Sequence, residues 1–230
     1  MNFGIILASG NGKRMHNTTP KQFLLAKGKP LVYYSILAFE NCDNIDEIII
    51  VTQKKYFRQM YEIIDQNNIH KVHMLVEGGK TRQESSYNAL KALQDYAIKS
   101  DLVIIHDAAR PLIKTSTIED MIKTSKRHSA ITLANAVWDT IVMNEKNHYD
   151  QLLDRSSLVT IQTPQAFKYG LILKAHENAK NENITNASDD AQLVNNIHKK
   201  VYLLKNNSLN FKITTPMDLE LLENILSRGD

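Results

Sequence analysis

The sequence predicts an α/β fold, a mostly parallel twisted sheet flanked by helices with a β-hairpin arm projecting from it. Three observations predict it. Short apolar runs alternate with amphipathic segments through the first half of the 230-residue chain, the order that βαβ units require. The first apolar run ends in a glycine-rich loop followed by cations, Ser9-Gly10-Asn11-Gly12-Lys13-Arg14. One pair of extended patterns then breaks the alternation.

Taken in order, residues 3–8 (Phe-Gly-Ile-Ile-Leu-Ala) form an apolar run suited to a buried strand. Further strands are expected at 47–52, 72–76 and 102–106, with helices between them at 31–40, 56–66 and 81–96. Beyond these come a helix at 116–126, a strand at 130–135, a helix at 169–178 and a strand at 200–204. A last helix starts after Thr215-Pro216, with Pro216 in its first turn. Residues 137–143 and 151–160 read as two extended segments around a polar turn at 144–150. They form an arm, about 137–160, within a single domain spanning 1–230. The arm either packs on a second subunit or lies along the sheet edge; the pattern leaves both open. Packing within the arm is expected for Trp138.

Bulk composition narrows the function classes. Hydrophobic residues make up 43% of the chain, which argues against disorder. The formal net charge of +3 is too small to indicate nucleic-acid binding and suits anionic small substrates equally well. Cys42 is the only cysteine, so no intramolecular disulfide forms. No stretch reaches the roughly 18 apolar residues of a membrane span, and no signal-peptide pattern opens the chain. A cytoplasmic location is the expectation.

The glycine loop matches neither common phosphate motif. A dinucleotide fingerprint needs a third glycine where Met15 stands, which argues against an NAD-dependent oxidoreductase. A Walker loop needs Ser or Thr where Arg14 stands. Two readings remain: a tight turn, or a phosphate cradle of another kind. Gly10 and Gly12 let backbone N–H groups approach a polyanion, and Arg14 and Lys21 supply charge. His106-Asp107-Ala-Ala-Arg110-Pro111 ends a predicted strand, at the edge where open α/β sheets bind ligands. Asp107 could orient a sugar hydroxyl or help place Mg²⁺, and Arg110 could hold a second phosphate; a plain Asp–Arg ion pair is the alternative. Gly78-Gly79-Lys80-Thr81-Arg82-Gln83-Glu84-Ser85 ends another strand. It is either a close-approach loop with Ser85 at a base edge or an ordinary helix start. Lys212 stands alone in a strand-like stretch, where a lysine is usually a surface residue. His106 reads as structural, Cys42 as partly buried. No Gly-x-Ser-x-Gly elbow occurs, and His70 and His73 lack companions at zinc-ligand spacing.

Taken together, these segments resemble the 2-C-methyl-D-erythritol 4-phosphate cytidylyltransferases of non-mevalonate isoprenoid synthesis, over nearly the whole chain. The landmarks run in order: Gly10 to Met15, Pro20-Lys21-Gln22-Phe23, His106 to Pro111, Asp139-Thr140, Asp154-Arg155, Gln162 to Phe167, Asp189-Asp190-Ala191 and Lys212-Ile213-Thr214. The resemblance implies a Rossmann-like nucleotidyltransferase fold and a homodimer joined through the arm. It implies that CTP and a polyol phosphate are the substrates, with no nucleic acid or membrane as partner. Arg14, Lys21 and Lys212 would be catalytic, acting on charge at the α-phosphorus. Ala8, Ser9, Gly10, Gly12, Gly79, Ser85 and Asp107 would contact the nucleotide. Arg110, Thr140, Arg155 and Thr163 would hold the acceptor, Thr140 and Arg155 coming from the partner's arm. Mg²⁺ would be held mainly by CTP phosphates.

Some positions depart from the family pattern. Asp139-Thr140-Ile141-Val142 ends in valine where isoprenoid members usually have lysine, which leans towards the related ribitol-5-phosphate cytidylyltransferases of cell-surface polymer synthesis. Ala108-Ala109 before Arg110 and the Asp154-Arg155 pair lean towards methylerythritol, which is the acceptor expected. The usual glycine after Asp-Asp-Ala is replaced near His198. A non-catalytic nucleotide-binding protein is the remote alternative, opposed by the joint presence of Arg14, Lys21 and Lys212.

Overall fold

The computed structural model describes residues 1–10 and 19–228. Its centre is a seven-stranded sheet. In chain order the strands of that sheet are β1 (Asn2–Leu7), β4 (Glu47–Thr52), β5 (Val72–Glu77), β6 (Leu102–Asp107), β7 (Ala130–Ala136), β10 (Val159–Lys168) and β11 (Tyr202–Lys205). Across the sheet they lie in the order β11-β7-β10-β6-β1-β4-β5. β1 pairs in parallel with β4 and β6, β4 with β5, and β7 with β11, whereas β10 runs antiparallel to both β6 and β7. The helices are α1 (Leu31–Glu40), α2 (Phe57–Gln66), α3 (Arg82–Ala92), α4 (Thr115–Thr124), α5 (Tyr169–Asn181), α6 (Asp190–Asn196) and α7 (Pro216–Ser227). A small ladder, β2 (Leu25–Ala26) with β3 (Lys29–Pro30), precedes α1.

Strands buried on both faces need continuous apolar runs rather than alternation. Ile48, Ile49, Ile50 and Val51 satisfy this, and successive residues point to opposite faces. Ile6, Ile48, Ile50 and Ile104 meet Ile36, Phe39, Met60 and Ile118 on one side. Ile5, Ile49, Val51 and Ile105 meet Leu90, Leu93, Tyr169 and Ile172 on the other. Cys42 is fully buried in the first of these layers, deeper than its sequence suggested. α7 starts after Thr215 with Pro216 in its first turn, as expected, and carries a capping box: Thr215 accepts from the Asp218 N–H, and Asp218 accepts from the Thr215 N–H. Its Leu222 joins Leu24, Leu31 and Ile213 in a third cluster.

Four expectations need correction. The arm's strands are β8 (Val142–Glu145) and β9 (His148–Leu152), joined through Lys146 and Asn147 at φ 48° and 67°. Two left-handed residues make a tight two-residue turn, so the turn is shorter than 144–150 and the strands begin later. The expected second arm strand, 151–160, is divided: β9 ends at Leu152, a 3-10 turn follows at Arg155–Ser157, and Val159 already belongs to β10 in the main sheet. Trp138 does not pack in the arm; it is 84% exposed. The segment around Lys212 is not a strand, although the Ile213 N–H donates to Ala109 O at 2.8 Å. His198 has φ 56°, in the left-handed region where the expected glycine would be unstrained.

Candidate active site

The parallel strands β1, β4, β5 and β6 end at one sheet edge, and a cleft of about 370 Å³ opens there. Its lining includes Ala8, Ser9, Gly10, Lys21, Gly79, Arg82, Ser85, Asp107 and Lys212. The wall between β1 and β5 is made by close backbone approach. A Cβ on Gly78 would collide with the Ser9 side chain, so only glycine fits there. Ser9 Oγ lies 2.9 Å from Ser85 Oγ. Ser85 in turn accepts from the Gly79 N–H at 3.1 Å and donates to Thr81 O at 2.9 Å. With its proton given to Thr81, Ser85 accepts from Ser9, and its hydroxyl is committed to holding the loop. Thr81 caps α3 by accepting from the Glu84 N–H at 3.1 Å, and Glu84 accepts from the Lys80 N–H at 2.6 Å.

Asp107 ends β6 and lies at the centre of the site. Its Oδ1 accepts from Arg82 Nε at 3.0 Å, and its Oδ2 accepts from Lys212 Nζ at 2.6 Å. Lys21 joins from the 3-10 turn Lys21–Phe23, its ammonium donating to the carbonyl of Ile213, next to Lys212, at 3.0 Å. A second lobe of about 300 Å³ adjoins the first and is lined by Arg110, Gln162, Thr163 and Asp189. Arg82, Asp107 and Lys212 line both lobes and so form the wall between them. Because β10 runs antiparallel to β6, it delivers Thr163 to the end of β6, where Thr163 Oγ1 accepts from the Asp107 N–H at 3.0 Å. Arg110 is held by Asn210 O at 2.7 Å, and among the described residues its buried Nε has no hydrogen-bond partner.

These charges set one another's protonation. Burial opposes ionisation of Asp107, but Arg82 and Lys212 outweigh it and hold the carboxyl well below the usual range. Burial likewise opposes the charge on Arg82, and Asp190 with Asp107 outweighs it, raising its pKa. Burial also opposes ionisation of Asp190, yet Arg82 and His176 bring its pKa down to about 2. His106 is fully buried, and burial pulls its pKa down to about 4, so the ring is neutral at pH 7. It contacts Arg110 O at 3.1 Å and Thr163 Oγ1 at 3.3 Å, which fits the structural role expected of it.

The structure thus brings together Ala8, Ser9, Gly10, Gly79, Ser85, Lys21, Asp107 and Lys212 in one lobe, with Arg110 and Thr163 in its neighbour. Gly12 and Arg14 lie outside the described residues. Thr140 and Arg155 are not in either lobe. Thr140 is exposed, and Arg155 Nη1 donates to Trp138 O at 2.7 Å at the root of the arm. Arg82, Asp190 and His176 were given no role by the sequence, because residues so far apart carry no spacing signal. The Asp189-Asp190-Ala191 landmark was the one hint. Among the described residues no group of three or more His, Cys, Asp or Glu is placed to hold a metal ion. Among the described residues Asp107 is the only carboxylate lining the larger lobe, and cations occupy both its oxygens. That donor set suits a Mg²⁺ that arrives with most of its oxygen ligands on a triphosphate.

A sequence model of the family "IspD: 2-C-methyl-D-erythritol 4-phosphate cytidylyltransferase" matches residues 3–228. The chain belongs to this family. That makes it a nucleotidyltransferase, as the sequence predicted. A 2-C-methyl-D-erythritol 4-phosphate cytidylyltransferase of Clostridium botulinum (strain Langeland, type F) is 42% identical over 225 residues, covering 97% of this chain and 96% of the relative. The enzyme of the same name from Clostridium perfringens strain SM101 is 43% identical over 223 residues, covering 96% of this chain and 97% of the relative. Among solved structures, the 4-diphosphocytidyl-2C-methyl-D-erythritol synthase of Anaerococcus prevotii superposes with a TM-score of 0.83 at 26% identity. It covers 99% of this chain and 98% of its own. The 2-C-methyl-D-erythritol 4-phosphate cytidylyltransferase of Thermus thermophilus gives 0.76 at 27% identity, covering 97% of this chain and 98% of its own. The fold of this cytidylyltransferase family member is therefore the expected Rossmann-like nucleotidyltransferase fold. No helix among the described residues is long and apolar enough to cross a membrane.

Proposed function

We propose that the chain transfers CMP from CTP to 2-C-methyl-D-erythritol 4-phosphate, giving CDP-methylerythritol and pyrophosphate. The observation that carries this reading is the pair of adjoining lobes divided by Arg82, Asp107 and Lys212. A donor nucleotide in the larger lobe and a phosphorylated acceptor in the smaller one would meet at that wall. An oxygen of the acceptor phosphate attacks the α-phosphorus of CTP, the bond to the β-phosphate oxygen breaks, and pyrophosphate leaves. An acceptor monoester with a second pKa of about 6 is already mostly ionised near neutral pH. The protein therefore needs no strong base and no nucleophile of its own. Its work is positioning two polyanions and neutralising charge as it shifts to the leaving group.

Lys212 and Lys21, on adjacent backbone, are suited to the α-phosphoryl and triphosphate charge, and Arg14 is assigned to the same task. Ala8, Ser9, Gly10, Gly12 and Gly79 offer backbone to the nucleotide, and Ser85 supports them from below. Asp107 accepts a sugar hydroxyl or helps place the metal. Mg²⁺ bound with CTP supplies further charge neutralisation at the phosphate oxygens. Arg110 and Thr163 take the acceptor side. Thr140 and Arg155 complete it from the arm of a second copy, since neither lines a lobe of its own chain. Exposed Trp138, Met143, Tyr149 and Leu152 on and beside the arm give such a homodimer its apolar surface. A single-domain, cytoplasmic protein fits the same reading.

Pyrophosphate release with CTP and Mg²⁺ across an acceptor panel tests the proposal. Release is expected to depend on 2-C-methyl-D-erythritol 4-phosphate. Val142 makes ribitol 5-phosphate the comparison that matters, and release with ribitol 5-phosphate alone would reject the acceptor while sparing the chemistry.

A further inference from the structure

We infer that Asp190 is a positioning residue of the nucleotidyl transfer: it fixes Arg82, and through Arg82 the Asp107 carboxylate that Lys212 rests on. The inference rests on the reading that the cleft is the reaction site. It gives a role to the Asp189-Asp190-Ala191 landmark.

Asp190 lies at the start of α6 with its side chain 1% exposed, and it lines neither lobe. A buried carboxylate is costly unless its oxygens are matched. Here Oδ2 accepts from Arg82 Nη1 at 2.7 Å, and Oδ1 faces His176 Nε2 at 3.0 Å. The backbone is held as firmly. The N–H groups of Asp190 and Ala191 both donate to Gln165 Oε1 at 3.1 Å, and Gln165 Nε2 donates to Thr132 Oγ1 at 2.9 Å. Gln165 and Thr132 belong to β10 and β7, so the carboxylate is anchored to the sheet interior.

Arg82 opens α3 on a long, flexible side chain. Contact with Asp107 through Nε alone would leave its guanidinium free to rotate. A second carboxylate on Nη1 fixes the plane, because Arg presents its donors as a rigid fork. With Arg82 fixed, Asp107 Oδ1 is occupied and Oδ2 is directed at Lys212. The chain His176–Asp190–Arg82–Asp107–Lys212 therefore runs from the protein interior into the wall between the lobes. Its stabilising value is limited, since buried ion pairs often do no better than apolar residues of similar size. The loop before α6 is also held without Asp190: Gln83 Nε2 donates to Ile184 O at 2.6 Å, and the Ala187 N–H donates to Gln83 Oε1 at 3.1 Å.

The test compares Asp190→Asn, Arg82→Lys and their double variant in the full chain. Turnover, KM for both substrates, calorimetric CTP affinity and melting temperature are read for each. A displacement of the reacting groups by about 1 Å can lower rates roughly 100-fold. Each single variant is expected to lose between about tenfold and 100-fold in kcat per CTP-binding site, with CTP Kd changed by less than about threefold. Because the residues act as one unit, the double variant should be no slower than the slower single. His176→Ala should lose less than Asp190→Asn, and His176→Gln, which keeps a donor for Asp190, should recover that loss. Should Asp190→Asn not fold, the His176 pair decides the question. Unchanged kcat per CTP-binding site, or single losses that multiply in the double, overturns the positioning role. A wild-type protein that binds CTP but turns over no acceptor refutes the functional reading itself, and the positioning role with it.

Discussion

Lys212 is the residue on which the proposed chemistry depends most, and Lys212→Met removes its charge while keeping most of its length. Its Nζ sits 2.6 Å from Asp107 Oδ2, with the two side chains 35% and 10% exposed. At such a partly solvated site an effective dielectric of about 20 applies, and a unit charge about 4 Å from a phosphoryl oxygen is worth roughly 4 kcal/mol. The part that matters for rate is the gain between ground state and transition state. Loss of a comparable preorganised donor costs about 3–4 kcal/mol, or roughly 10²–10³ in turnover. Lys212→Met is therefore expected to lower kcat by about that factor. The fold should tolerate the change. Asp107, whose side chain is only 10% exposed, would keep Arg82 on Oδ1 but lose its second cation, a cost of up to about 3 kcal/mol, or roughly 6–12 °C for a chain of this size. The assay is continuous pyrophosphate release at saturating acceptor, with CTP varied and melting temperature measured alongside. Lys212→Arg should retain more activity than Lys212→Met. A loss below tenfold in kcat, or a rise in CTP KM with kcat intact, would refute the assignment of Lys212 to transition-state charge.

The remaining predictions concern the cradle, the arm and acid stability. Lys21→Ala and Arg14→Ala should each lower turnover by orders of magnitude with the fold retained; near-normal rates in both would remove the phosphate-cradle assignment. Arg155→Ala should raise acceptor KM more than CTP KM, and an equal rise in both would argue against an acceptor role. If the arm serves the neighbouring subunit, a hybrid dimer of Arg155→Ala and Lys212→Met contains one intact site, so at acceptor concentrations well below the raised KM the mixture should turn over faster than either variant alone. Absence of that gain would place Arg155 at its own subunit's site. His106 has a folded pKa of about 4 against about 6.5 when unfolded. The unfolded chain then binds more protons between those values, so this contribution is complete above about pH 6.5 and is lost as pH falls towards 4, on the order of 3 kcal/mol. Asp190, at about 2 against an unfolded value near 3.9, adds a second loss as pH falls from about 4 towards 2. Denaturant titrations of His106→Gln should show a flatter pH dependence between 6.5 and 4; an unchanged slope there would contradict the buried neutral ring.

Much of this was legible in the sequence because the parallel half of the sheet follows simple rules. Ile48 to Val51 and Leu102 to Ile105 are buried on both faces and read as continuous apolar runs. β10 was not legible as a sheet strand. Gln162, Thr163, Pro164 and Gln165 break both apolar continuity and strand propensity, and Pro cannot donate to a ladder. The structure accommodates them by bonding Gln165 to Thr132 and the start of α6, and by interrupting the β7 ladder between Gln162 and Gln165. The arm's register was misplaced because its turn uses Lys146 and Asn147 at positive φ with no glycine to mark it. In the site, the glycine loops and the end of β6 stood out by pattern, whereas Lys212 came only through the family resemblance. Arg82 lies 108 residues from Asp190 in the chain. Only the antiparallel insertion of β10 and the packing of α6 behind it bring that pair together.

The proposed reaction creates a bond between the acceptor phosphate and the α-phosphorus of CTP. Phosphorus NMR of the protein with CTP, Mg²⁺ and 2-C-methyl-D-erythritol 4-phosphate observes that bond directly. The acceptor's monoester signal should disappear and two mutually coupled diphosphate resonances should grow, with pyrophosphate rising in equal amount. CMP and pyrophosphate appearing with the monoester signal intact, or the diphosphate pair appearing only when ribitol 5-phosphate is the acceptor, would contradict the proposed reaction.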